Sequence, residues 1–454
     1  MAYRTINPAT GEVLAEYPEQ SGGELFAALE VADERYRRDW KWRPVAERAQ
    51  YVARAAALLR ERREEYARLM TTEMGKVIGQ AYYEVDFTAD ILDYYAKNGE
   101  AFLKDQDLPD ARGATIVTEP VGVILAIEPW NFPYYQIARV AAPQIVAGNV
   151  LMVKHASNVP QAALAFARLF EEAGTPAGVY TNIFCGADGI ASLIDDFRVR
   201  GVTLTGSERA GAAVAERAGK NLKKVVLELG GSDPAVILED APLDVVIEQC
   251  VPGRMMSAGQ ACASIKRMIV VGRDRGEQIL ARLVENYANL TVGDPNEMAT
   301  AVGPVVSESA LQGLLAQVEK GVRAGARLVA GGKRIDRPGY FMQPTILCDI
   351  AEDNPIFQEE LFGPVLSYYV VDTEEEAIRI ANATKFGLGS SVFSADIDRA
   401  REVAGRIEAG MVFINTYINS GPEVPFGGVK NSGFGRELSE LGIGEFVNKK
   451  LVRV

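Results

Sequence analysis

A single histidine, His155, occurs in 454 residues. With so little imidazole and only four scattered cysteines the chain offers no ligand set for a metal, and a nucleophile in it must find its base elsewhere. The cysteines, Cys185, Cys250, Cys262 and Cys348, form neither a C-x-x-C pair nor the dense, even spacing of a secreted disulfide framework, which fits a reducing cytoplasm. No stretch approaches the roughly 18 uninterrupted apolar residues of a membrane span. Residues 1–8 lack the basic-then-apolar order of an export signal. The formal net charge is −13 and no basic stripe occurs, so nucleic acid is excluded as a partner. G-x-G-x-x-G, the ordinary dinucleotide fingerprint, is missing as well.

What the chain does have is length and apolar content, 454 residues with 48% hydrophobic, enough for two large domains with their own cores. Residues 24–100 show apolar positions at helical spacing. From about 121 the pattern changes: apolar runs at 121–127, 150–153, 179–184, 202–204 and 225–229 alternate with amphipathic stretches at 160–173, 188–195 and 208–219. Such alternation predicts β-α-β units and a parallel sheet. It resumes beyond 234, with strand-like 235–238, 267–271, 327–329 and 411–414 between predicted helices at 243–252, 276–288, 308–323, 374–383 and 397–408. The fold class is therefore α/β, two packed domains with a ligand cleft between them.

Cys262 lies in a Gly259-Gln260-Ala261-Cys262 turn between a predicted helix and a predicted strand, where loops carry function. Taken alone it reads first as a small buried hydrophobe, and its setting at an element boundary shifts that reading. Glu228 ends the apolar run Val225-Val226-Leu227 and is followed by Gly230-Gly231, so it is either a strand-end surface acid or a carboxylate at the mouth of a buried strand. In the second setting its pKa rises and it suits a general base. Asn131, in a turn fixed by Pro129 and Pro133, supplies an amide of the kind that stabilises an oxyanion.

Together these residues resemble the aldehyde dehydrogenase superfamily across practically the whole chain. The matching signatures are Pro129-Trp130-Asn131-Phe132-Pro133, Gly148-Asn149 with Lys154, Leu204-Thr205-Gly206-Ser207, Leu227-Glu228-Leu229-Gly230-Gly231, Gly259-Gln260-Ala261-Cys262, Glu359-Glu360-Leu361-Phe362-Gly363-Pro364-Val365 and Pro425-Phe426-Gly427-Gly428-Val429-Lys430-Asn431-Ser432-Gly433. The resemblance implies a Rossmann-like cofactor domain, an α/β catalytic domain and a small β oligomerisation element. Their expected extents are 1–101 with 121–230, then 231–430, then 102–120 with 438–454. It implies that Cys262 attacks an aldehyde, that Asn131 and the Cys262 N–H hold the oxyanion, and that Glu228 activates water against the resulting thioester. A free acid is then the product, and a homodimer or homotetramer the assembly.

The resemblance also implies a nicotinamide site at Ile127, Pro129, Trp130, Gly206, Ser207, Gly211, Leu229, Glu360 and Phe362, with pyrophosphate at the helix start after Thr205. NAD-preferring relatives commonly carry a glutamate where Ser157 stands. Its absence, with Lys154 nearby, implies NADP, with NAD weaker, unless Ser157 merely caps the next helix. His155 is expected to be structural.

For the substrate, a helix from Asn131 onward would put Asn131, Tyr135 and Arg139 on one face, with Arg139 about 12 Å along the axis. That spacing suits a short ω-semialdehyde acid, its aldehyde at Cys262 and its carboxylate forked by Arg139. Arg139 and Ser420 resemble the carboxylate-binding pair of succinate-semialdehyde dehydrogenases. Met256 stands where many of those carry a second arginine, with Arg254 two residues away. A rival pocket for uncharged medium-chain or aromatic aldehydes would be an apolar tunnel of Tyr134, Tyr135 and Met256, and the remaining alternative is a non-catalytic family member. No cysteine follows Cys262 at positions 263 and 264, which excludes a disulfide switch there.

Overall fold

The computed structural model describes residues 3–454. The predicted helical region is four helices, α1 (Gly22–Arg38), α2 (Val45–Glu61), α3 (Arg63–Met74) and α4 (Ile78–Phe102). Ser21 and Glu24 form a reciprocal capping box at the start of α1, and Gly75, at φ 78°, ends α3 in the left-handed conformation that glycine tolerates.

Five parallel strands follow, β1 (Val123–Glu128), β2 (Val150–His155), β3 (Tyr180–Asn182), β4 (Val199–Thr205) and β5 (Lys224–Glu228). They are connected through α5 (Tyr135–Ala147), α6 (Pro160–Glu172), α7 (Ala187–Asp195) and α8 (Glu208–Lys220). The strand order is β3-β2-β1-β4-β5, so the winding reverses between β1 and β4, and the carboxyl ends there form the crevice in which open α/β sheets bind ligands. Register aligns those ends: Glu128 pairs with His155, Ile127 with Lys154 and Leu204, and Thr205 with Glu228.

A second sheet contains β6 (Pro234–Ile237), β7 (Arg267–Val271), β8 (Arg327–Ala330), β9 (Thr345–Cys348), β10 (Val365–Val371), β11 (Gly389–Phe393) and β12 (Met411–Ile414), in the order β8-β9-β10-β7-β6-β11-β12. Only β8 runs antiparallel to its neighbour. Strands β9, β10 and β11 were not among the expected ones. In β11 the reason is visible: Ser390 and Ser391 are buried, and Ser390 Oγ donates to the Pro234 carbonyl at 3.1 Å, so polar residues occupy core positions. Gln106–Leu108, Ala114–Pro120 and Val447–Arg453 form a separate antiparallel sheet. No helix among the described residues is long and apolar enough to cross a membrane.

One strand returns from near the carboxyl terminus. Gly433–Phe434 adds to the edge of the first sheet, with Gly433 opposite Glu228. Gly433 has φ +114°, and a Cβ there would lie 2.0 Å from the Leu227 carbonyl oxygen. Gly433→Ala is expected to destabilise the protein by about 2–4 kcal/mol, read as a lowered denaturant midpoint. An unchanged midpoint would contradict this pairing.

Candidate active site

Three chain segments meet above the crevice. Asn131 sits in the turn between β1 and α5, and α5 begins only at Tyr135, so the single helical face expected for Asn131, Tyr135 and Arg139 does not form. Prolines at 129 and 133 keep that turn out of helical geometry. His155 is buried with Nε2 3.0 Å from the Pro133 carbonyl oxygen, and burial lowers its pKa to about 4, so the ring is neutral and donates to the turn. Gln136 Nε2 donates to Asn131 Oδ1 at 3.0 Å, while Asn131 Nδ2 donates to the Gln260 carbonyl at 3.0 Å. This fixes the amide with its second N–H uncommitted.

The loop leading to Cys262 is strained. Ser257 and Ala258 adopt left-handed φ values of 53° and 54° ahead of Gly259 at 75°, a conformation unfavourable for residues with a Cβ. Gln260 braces it by donating to the Ser257 carbonyl and accepting from the Val306 N–H. Arg254, fully buried, donates to the carbonyls of Val365, Leu361, Gly363 and Gly259 and to Ser264 Oγ. It therefore does not stand in for the arginine missing at Met256.

Helix α4 holds both segments. Gln80 Oε1 accepts the Ser257 N–H at 2.7 Å, and one turn on, Glu84 Oε1 accepts the N–H groups of Tyr134 and Tyr135 at 3.0 and 3.2 Å. Lys76, whose ammonium lies 3.6 Å from the Phe132 ring centroid, pairs with Glu84 Oε2 in the interior. Gln80, Glu84, Gln136 and Lys76 carried no sequence motif; only the contacts reveal them.

Cys262 lies where two cavities join. One, of about 720 Å³, is lined by Pro129, Trp130, Asn131, Gly206, Ser207, Glu228, Leu229, Glu360 and Phe362. The Trp130 and Phe362 rings meet edge to face at 5.8 Å. Its floor is the amino terminus of α8, where Ser207 Oγ accepts the Ala210 N–H. Gly211 lies beneath: a Cβ there would come within 2.7 Å of Leu229 Cδ2, so glycine permits this helix to approach the sheet. Lys154 and Ser157 lie beyond this cavity at the end of β2, as does Ile127 on β1. Ser157 is exposed and does not cap α6. The N-cap is Val159, and Glu73 of α3 does the capping by accepting the N–H groups of Gln161 and Ala162 at 2.9 and 2.8 Å. Lys154 is half-buried beside Tyr3, and burial lowers its pKa against the opposing influence of Cys185 and Glu19.

The other cavity, of about 650 Å³, is lined by Glu84, Phe87, Phe132, Tyr135, Met256, Tyr417, Ser420 and Phe426, among others. Tyr134 is not among them; it is buried against Phe166 and Tyr66. Arg139 offers no open fork either. Its Nε pairs with Glu437 at 2.6 Å, the Tyr135 and Phe426 rings lie 4.6 and 4.4 Å from its guanidinium carbon, and Nη1 donates to Tyr135 Oη at 3.3 Å. Tyr135 Oη in turn donates to Ser420 Oγ at 3.2 Å, which carries a polar contact from Arg139 to the cavity wall.

Burial pushes the Cys262 thiol up to about 11, opposed by Arg139 and Lys266 and reinforced by Glu360 and Glu228. Glu228 is buried with no hydrogen-bond partner on either oxygen, and burial together with Glu437 holds it well above the ordinary carboxylate range. Such a group is a proton acceptor once ionised, with no protein partner competing for either oxygen.

The aldehyde dehydrogenase family model matches residues 1–452. The chain belongs to the aldehyde dehydrogenase family. A succinate-semialdehyde dehydrogenase [NADP(+)] of Deinococcus radiodurans is 48% identical over 99% of this chain and 94% of its own length. The solved structure of Gox0499 is 50% identical with a TM-score of 0.99, and succinic semialdehyde dehydrogenase from Streptococcus pyogenes in complex with NADP+ is 45% identical with a TM-score of 0.97; both pairs of chains are covered in full.

Beside the family site, Glu128 is buried with both oxygens unpartnered, and burial plus the Glu437 charge raise its pKa to about 8 from an ordinary 4.5. An acid so raised favours the folded state while protonated. That stability is present below the unfolded value of 4.5 and is lost as pH rises through about 8. Glu128→Gln, which cannot ionise, is therefore expected to narrow the Tm gap between pH 5 and pH 9. An unaltered gap in paired thermal melts would contradict the assignment.

Proposed function

We propose that this protein oxidises succinate semialdehyde to succinate with NADP, NAD serving less well. The observation that carries the reading is Cys262 at the junction of two cavities, one ending at a helix amino terminus and the other polar at Tyr135 and Ser420 with the Arg139 charge behind them. The related enzymes from Deinococcus and Streptococcus, by their names, support the same substrate and cofactor.

The residues fit the cofactor. Free N–H groups at the start of α8 suit the pyrophosphate, Glu360 suits ribose hydroxyls, and Phe362 and Trp130 suit the faces of a ring. Lys154 and the uncapped hydroxyl of Ser157 would hold a 2′-phosphate, with no carboxylate at 157 to repel it. When bound, the nicotinamide accepts the hydride leaving the thiohemiacetal carbon, which leaves a thioester on Cys262.

Cys262 forms that thiohemiacetal by attack of its thiolate on the aldehyde carbon. The oxyanion is received by the free N–H of Asn131 Nδ2 and the backbone N–H of Cys262. Glu228 then takes one proton from water as the water oxygen attacks the thioester carbonyl; the C–S bond breaks, the Cys262 thiolate is restored, and the carboxylic acid leaves and gives its remaining proton to solvent. Tyr135 and Ser420 bind the distal carboxylate, and Arg139 acts on it through Tyr135. In this reading 1–101 with 121–230 form the cofactor unit, 231–430 the catalytic unit, and 102–120 with 438–454 an oligomerisation element that adds to a partner copy in a dimer or tetramer.

The apolar lining of Phe87, Phe132, Met256 and Phe426, with Arg139 already paired to Glu437, favours a second reading: an uncharged medium-chain or aromatic aldehyde. Initial rates with succinate semialdehyde, hexanal and benzaldehyde, each with NADP and NAD, separate the two. The semialdehyde with NADP is expected to lead by about tenfold, the factor worth one charge-assisted contact. A lead by an uncharged aldehyde would overturn the substrate assignment, and a lead by NAD the role of Ser157.

A further inference from the structure

Lys266, four residues beyond Cys262, belongs to none of the family signatures, yet its side chain is only 1% exposed. Its backbone is fixed between strands: the N–H donates to the Asp233 carbonyl, and the carbonyl accepts the Ser367 N–H. The ammonium donates to the Cys262 carbonyl at 2.6 Å and pairs with Glu360 Oε1 at 2.8 Å. Glu360 Oε1 also accepts the Gly231 N–H at 3.2 Å. A buried ammonium requires such acceptors and a counter-charge, and here one of the two belongs to the nucleophile's own peptide.

We propose that Lys266 is a positioning residue that couples Glu360 to the reactivity of Cys262, so that engagement of Glu360 by a cofactor ribose frees the Lys266 charge to favour the thiolate. This rests on the reading of Cys262 as nucleophile and Glu360 as a ribose contact. The charged and titratable groups facing the thiol are Arg139 and Tyr135 from α5, Glu84 from α4, Glu228 from β5, Glu360 from the loop before β10, and Lys266 itself. Of the two cations, Arg139 is held by Glu437, away from any cofactor contact; Lys266 alone shares its charge with a residue of the 720 Å³ cavity. While Glu360 pairs with it, Lys266 lends the thiol only part of its charge, and when Glu360 turns away the same ammonium stays bound to the Cys262 carbonyl with its full charge.

The coupling is testable without cofactor, because Glu360→Gln removes the neutralising charge. The readout is the rate of iodoacetamide alkylation of Cys262 at pH 8, resolved from the other three cysteines by peptide mass. Lys266→Met is expected to slow alkylation by about threefold to tenfold, and Glu360→Gln to speed it by a similar factor. In Lys266→Met/Glu360→Gln the acceleration is lost, whereas Lys266→Arg keeps most of the wild-type rate. If Glu360→Gln accelerates the Lys266→Met background by the same factor, the carboxylate acts on the thiol directly and the proposal fails; it fails equally if Lys266→Met alkylates at the wild-type rate. A misfolded variant shows itself by uniform labelling of all cysteines, in which case Lys266→Arg decides, a slow rate there refuting the charge effect. If Cys262 is not the fastest thiol in the wild-type protein, the catalytic reading itself falls instead.

Discussion

The placement of Cys262 against Asn131 depends on the first two turns of α4. Gln80 and Glu84, four residues apart and so on one helical face, take hydrogen bonds from the loop leading to Cys262 and from the start of α5 respectively. Neither loop is regular: one carries two residues in the left-handed region, the other is bounded by prolines. Such segments hold a single conformation only when their surroundings over-determine it. Glu84 can sit in the interior because Lys76 neutralises it. Removing one partner of a buried pair of this kind typically costs about 3–5 kcal/mol, so the brace is stable only as a unit.

The site that results is buried and rich in carboxyl groups. Glu228, Glu128 and Glu437 are all buried and all raised above the ordinary carboxylate range, and Arg139 is the cation that they share. The same desolvation that raises Glu228 also raises the Cys262 thiol, and the charges of Arg139 and Lys266 oppose that rise.

Much of this was legible in the chain. The alternation of apolar runs and amphipathic stretches gave the first sheet within a few residues, because its strands are buried on both faces and read as continuous apolar runs. The second sheet was harder: β11 buries serines, and its partners are set by register rather than by any local pattern. Cys262, Glu228 and Asn131, the residues expected to carry chemistry, line one cavity together although 131 positions separate the first from the last. Arg139 shows the limit of spacing arguments. Eight residues from Asn131 would bring it into line only if the helix began four residues earlier, and nothing near 139 announces Glu437, almost three hundred residues away. The capping of α6 by Glu73 rather than Ser157 has the same cause, a long-range carboxylate displacing a local one.

The most direct test of the central claim is intact-protein and peptide mass spectrometry of Glu228→Gln after a single mixing with succinate semialdehyde and NADP. Loss of the base should leave the first half-reaction in place and stop the second, so about one equivalent of NADPH should form while a succinyl thioester accumulates on Cys262. Sustained turnover without an adduct, or an adduct on another residue, would contradict the account.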